Sequence, residues 1–130
     1  MTQSSFNCLG IASYYAGAYK DVVAALLNAN RSDVEQNVYL AMAYAELGRP
    51  HEAAIEVARV ISKKPDFSAE TWIDKDIFWP GGSAAMLFFD GARNAGLPLC
   101  ASVSDAARID PKNRLPECDA ERAKAMLSPT

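Results

Sequence analysis

The chain carries one histidine, His51, and three cysteines, Cys8, Cys100 and Cys118. A lone histidine can act as a general base only beside a nucleophile or an orienting acid, and no nucleophile motif lies near His51. It falls in the first turn of an expected helix, where it is a surface residue. The cysteines lack the close pairing of a zinc or thioredoxin-type site. They are expected to be small buried hydrophobes. A Cys100–Cys118 bridge tying down the C-terminus is the alternative, which a cytosolic setting disfavours. Asp74, Asp76 and Asp90 do not have calcium-loop spacing. Gly81-Gly82-Ser83 ahead of a helix could turn amides toward an anion, but it reads first as a turn and cap. Dinucleotide, Walker and nucleophile-elbow patterns are absent from the sequence. The expectation is a chain with no catalytic residue, no metal site and no cofactor.

Composition narrows the classes further. The 130 residues hold 13 Lys plus Arg against 16 Asp plus Glu, a net charge of −3, with 50% apolar residues. That is one globular domain. It lacks the basic excess of a nucleic-acid binder. The uncharged stretches at 1–19 and 77–89 are respectively too polar and too short to span a membrane. Without a basic leader the expected location is cytoplasmic. Asn30-Arg31-Ser32 has the form of a glycosylation sequon, coincidental in that setting.

The elements that would position any site are helices, and they come in pairs. Ser32-Asp33-Val34-Glu35 has the form of a capping box. Val34, Val38, Ala41, Met42 and Ala45 then recur at helical spacing. Gly48 ends that helix, Pro50 suits the first turn of the next, and Ala53, Ala54, Val57, Val60 and Ile61 form its apolar face up to Pro65. The same order stands upstream: Phe6, Leu9 and Gly10 lead to Gly17, then Tyr19, Val22, Val23, Leu26, Leu27 and Ala29. Gly17 to Gly48 is 31 residues, a period that signals a helical solenoid.

Residues 66–98 are expected to cover the open face of the second pair. Ser68 would cap a short helix through Trp72 and Ile73, Ile77-Phe78-Trp79 would add aromatic bulk, and a longer helix would run from about Ser83 to Ala95, stopped by Gly96-Leu97-Pro98. The rest, 99–130, reads as a tail, loose or laid on the repeats, with a last short helix from Asp119 to about Leu127 capped by Asp119.

Leu40, Ala41, Tyr44, Gly48, Ala53 and Pro65 in the second pair, and Phe6, Leu9, Gly10, Gly17, Tyr19 and Ala29 in the first, resemble the tetratricopeptide (TPR) repeat. Asn37, Val22, Val57 and Val60 depart from its pattern. The resemblance implies an all-α, right-handed superhelix of antiparallel helix pairs over 1–98: two clear repeats and a degenerate third pair, with the tail over 99–130. Pro65-Asp66-Phe67-Ser68, Gly91 through Pro98 and Leu115-Pro116-Glu117-Cys118 are similar to the C-terminal TPR region of proteobacterial class III adenylate/guanylate cyclases and of winged-helix regulators. That implies a regulatory piece of a larger signalling protein, without the catalytic domain.

In such arrays the first helix of each pair lines a concave groove. The corresponding positions are Asn7, Ile11, Tyr14 and Tyr15, then Glu35, Val38, Met42, Ala45 and Glu46. None is basic, so a carboxylate clamp is not expected; an apolar or basic protein or peptide segment, from a partner or from the chain's own tail, fits better. Alternatively Tyr14 and Tyr15 pack on the third pair. Two further readings are an architectural end-piece, which would include a homodimer, and a small-ligand pocket lined by Trp72, Phe78, Trp79 and Phe88.

Overall fold

The computed structural model describes residues 3–29, 33–75 and 83–127. Ser32 of the expected capping box, the sequon, Asp76, Ile77-Phe78-Trp79 and Gly81-Gly82 lie outside these. Every regular element among the described residues is helical. The first pair is α1 (Gln3–Tyr15) and α2 (Tyr19–Leu27), the second α3 (Val34–Glu46) and α4 (Pro50–Lys63). Then come α5 (Ala69–Lys75), α6 (Ser83–Ala95), α7 (Val103–Ala106), a single 3-10 turn at Pro111–Asn113 and α8 (Pro116–Leu127).

The two pairs repeat to the residue. α3 begins and ends 31 residues after α1, and α4 begins 31 after α2. The turns match bond for bond. Gly17 and Gly48 have φ of 76° and 71°, where a Cβ would be strained. The Gly17 amide donates to the Tyr14 carbonyl and the Ala18 amide to that of Ser13; Gly48 and Arg49 do the same to Ala45 and Tyr44. This is the Schellman closure, which satisfies the last carbonyls of the helix. α6 closes in the same way at Gly96, with φ of 83°, the Leu97 amide donating to the Ala92 carbonyl.

Close approach within a pair comes from missing side chains. A Cβ on Gly10 would sit 2.5 Å from a Leu26 methyl, so α1 and α2 touch through glycine. The second pair uses Ala41 and Ala53, both buried. It adds a polar bridge where the repeat pattern is broken. Asn37, 1% exposed, donates to Glu56 at 2.8 Å and accepts from Lys63 at 2.7 Å. Arg59 donates to the other Glu56 oxygen at 2.6 Å. A buried carboxylate and a buried amide are each costly without partners; here each supplies the other's.

α3 is the centre of the core. All nine residues from Gln36 to Tyr44 are buried, because α4, α2, α1 and α6 all pack against it. α6 lies along α3 and touches α4 only lightly. It faces inward through Phe88, Phe89, Gly91 and Ala92. α5 begins as expected, with Ser68 Oγ accepting from the Thr71 amide at 3.1 Å. α8 differs from expectation. It starts at Pro116, three residues before Asp119, so Asp119 sits in the first turn and is no cap. Proline at a helix start needs no amide partner, which explains the earlier beginning.

A Cβ on Gly91 would lie 1.8 Å from Tyr14 Oη and 3.1 Å from Met42 Sδ. Gly91→Ala should therefore cost about 1–3 kcal/mol, read as a fall in denaturant midpoint at unchanged m-value. In a Tyr14→Phe background, which removes the colliding oxygen, the same substitution should cost measurably less; equal costs in both backgrounds would contradict the packing.

Candidate functional site

The groove positions divide into a buried floor and a polar rim. Tyr14, Val38 and Met42 are buried, at 4%, 0% and 0% exposure. They do not line an open groove, because α6 occupies the space in front of them. Tyr14 Oη donates to the Leu87 carbonyl of α6 at 3.2 Å, and Gly91 of α6 lets the helix down onto Tyr14 and Met42. The tyrosines thus pack on the third pair. Tyr14 stacks edge-on against Tyr15 and Tyr39, and Tyr39 against Phe88. Tyr15 and Tyr39 share a hydroxyl hydrogen bond of 2.8 Å. Burial, reinforced by the nearby Glu46 charge, pushes the Tyr14 phenol well above the ordinary tyrosine value, so it stays a neutral donor.

The rim residues are spoken for within the chain. Asn7 donates to Glu35 at 3.0 Å, tying α1 to α3. Asn94 of α6 donates to Glu46 at 3.0 Å, tying α6 to α3. Ile11 and Ala45 are half-buried against the core. The aromatic-pocket residues do not converge either: Trp72 packs on Phe67, while Phe88 packs on Tyr39 and Phe89. Phe78 and Trp79 lie outside the described residues.

The densest polar cluster is one the sequence did not single out. Glu70, the second residue of α5, is completely buried. Its Oε1 accepts from Arg122 Nη1 at 2.5 Å and from the Ala101 amide at 2.8 Å. Its Oε2 accepts from Arg122 Nη2 at 3.1 Å and from the Leu115 amide at 2.7 Å. Arg122 also donates to the Ala101 carbonyl at 3.1 Å and to Asp119 at 2.8 Å. The bidentate fork matches guanidinium to carboxylate, and the hydrogen bond from Glu70 raises the Arg122 pKa, keeping it charged. Around this pair the tail is held at further points. The Ala69 and Glu70 amides donate to the Pro98 and Leu99 carbonyls. Asp74 accepts from the Asp110 amide and the Asn113 side chain. Arg93 of α6 bridges to Glu117 of α8.

The cysteines correct the sequence reading. Cys100 and Cys118 are joined in a disulfide beside the Glu70 cluster, and Cys8 is free but exposed. The tail is clasped, not loose. Disulfides persist mainly in oxidising compartments, which sets this bridge against the expected cytoplasmic location. No helix of the described residues is long and apolar enough to cross a membrane, and no cluster of three His, Cys, Asp or Glu forms among them. His51 is exposed on the first turn of α4.

No family model, curated protein or solved structure matches this chain.

Two measurements check the clasp. Thiol labelling of the unfolded, unreduced chain should give one reactive cysteine, rising to three on reduction. Glu70→Gln leaves Arg122 buried without its charge partner and should cost about 3–5 kcal/mol, with 99–127 becoming the first region cut in limited proteolysis. Replacing both partners, as Glu70→Leu with Arg122→Met, should cost less than the sum of the two single changes.

Proposed function

We propose that the chain is a non-catalytic protein-association module built from TPR-like helix pairs. The observation that supports this best is the 31-residue identity of α1–turn–α2 and α3–turn–α4, glycine closures included. Such units cannot bury their apolar faces singly and exist to stack. The clustered ionisable groups point the same way. Glu70 with Arg122, and Glu56 with Arg59 and Asn37, are saturated by structural partners, which leaves no convergent acid, base or nucleophile in a cleft. The resemblance to cyclase and winged-helix regulator tails extends the reading: the module serves as the regulatory part of a larger signalling protein.

With α6 seated over Tyr14 and Met42, association runs through surfaces other than the concave groove. The first pair supplies one, since Leu9 and Leu27 are 45% and 46% exposed and Cys8 stands beside them. The architectural reading is thereby favoured over peptide capture in the groove.

A photo-crosslinking residue placed at position 9 in the living cell tests this. The expected result is a discrete protein adduct, identified by mass spectrometry, that is absent when the same residue replaces exposed Ala123. No protein adduct at position 9 would contradict the reading.

A further inference from the structure

The internal joint between the two pairs shows what the outer faces of the molecule are shaped to receive. Tyr39, Leu40 and Ala43 of α3 are at 1%, 0% and 0% exposure. One repeat earlier the matching residues are Cys8, Leu9 and Ala12 of α1, all exposed. The chain keeps uncharged residues there although nothing described covers them; α1 has no charged residue at all. What α3 has on that side and α1 lacks is the second helix of a preceding pair.

The opposite end carries the counterpart. Val23 and Leu27 of α2 correspond to Ala54 and Ala58 of α4. Because α6 lies along α3 and leaves α4 largely uncovered, Ala54, Ala58 and Ile61 form an exposed stripe at i, i+4 and i+7. Ile61 and neighbouring Ile55 are 44% and 42% exposed. A groove of about 310 Å³ on the first pair, lined by Phe6, Leu9, Ala24 and Ala25, has room for a branched aliphatic side chain. Asp21 also lines it and has no ion-pair partner among the described residues. Arg59, half-exposed beside the α4 stripe, supplies the opposite charge.

We propose that a second copy of this chain docks head to tail, its α4 stripe of Ala54, Ala58 and Ile61 laid on the α1 face of Cys8, Leu9 and Ala12 as α2 is laid on α3. This rests on the association reading above and names the partner. The two faces are different surfaces of one molecule, so the contact is heterologous and propagates as an open array unless its rotation closes a ring.

Sedimentation velocity on the full chain over a hundredfold concentration range tests it. Wild type should form species beyond the dimer as concentration rises. Leu9→Glu and Ala58→Glu each place a carboxylate on one exposed face and should each remain monomeric, with helical circular dichroism unchanged. An equimolar mixture of the two variants retains one intact face of each kind and should give a 1:1 dimer that grows no further. Wild type monomeric throughout, a mixture that stays monomeric, or a dimer that survives either single variant would each overturn the proposal. A monomeric wild type that still yields an adduct with a different protein from position 9 would sink head-to-tail docking and leave the association reading standing.

Discussion

A pair of antiparallel helices has more apolar surface than its two members can hide from each other. Burial of that surface is the main favourable term in folding, so every pair requires a neighbour on each side. α3 is where the requirement is met: α2 on one flank, α4 as its hairpin partner and α6 in front leave all of Gln36–Tyr44 buried. The rest of the molecule follows from how the remaining faces are, or are not, covered. The first pair is closed on the α3 side and open on the other, with Leu9 and Leu27 in solvent. The second pair is covered in front by α6 and bare along α4.

The third pair departs from the repeat because it serves a different face. It fills the concave side of the first two units, where Gly91 admits Tyr14 and Met42 to within contact of the α6 backbone. A helix placed there by packing alone would depend on one apolar face. The tail adds a second, independent hold. Glu70 draws together α5, the 99–101 segment, Leu115 and α8 through four hydrogen bonds to a single carboxylate. The Cys100–Cys118 bridge closes the same loop covalently, which restricts the unfolded chain by an amount that grows with loop length. Arg93 then ties α6 itself to α8 through Glu117. Polar and covalent constraints thus stand in for the stacking neighbour that a solenoid end lacks.

The sequence made the repeat legible because its signals are local. Gly17, Gly48, Gly96, Pro50 and Ser68 mark breaks and starts within a few residues of where they act, and all five stand as read. The site was less legible because it depends on which elements meet. Tyr14, Val38 and Met42 lie on the face that helical spacing assigns them, yet spacing could not say that α6 would cover it. Glu70 and Arg122 are 52 residues apart and look like any solvated charges; only the fold makes them a pair. Asn37 read as a lapse from the repeat pattern, and its compensation by Glu56 and Lys63 lies on another helix. The cysteines at 100 and 118 were visible as a candidate bridge, but the absence of a leader weighted the reading toward free thiols. α8 began early because Pro116 was taken as a breaker when it could equally open a helix.

The account's central claim is that α6 is an integral wall of the core, laid in front of α3. Hydrogen exchange followed residue by residue on the intact, oxidised chain tests this most directly. Amides of α3 should exchange slowest, with those of Phe88–Ala92 protected to a similar degree, since opening α6 would expose Tyr14, Tyr39 and Met42 together. Fast exchange across Phe88–Ala92 while α1–α4 remain protected would contradict it.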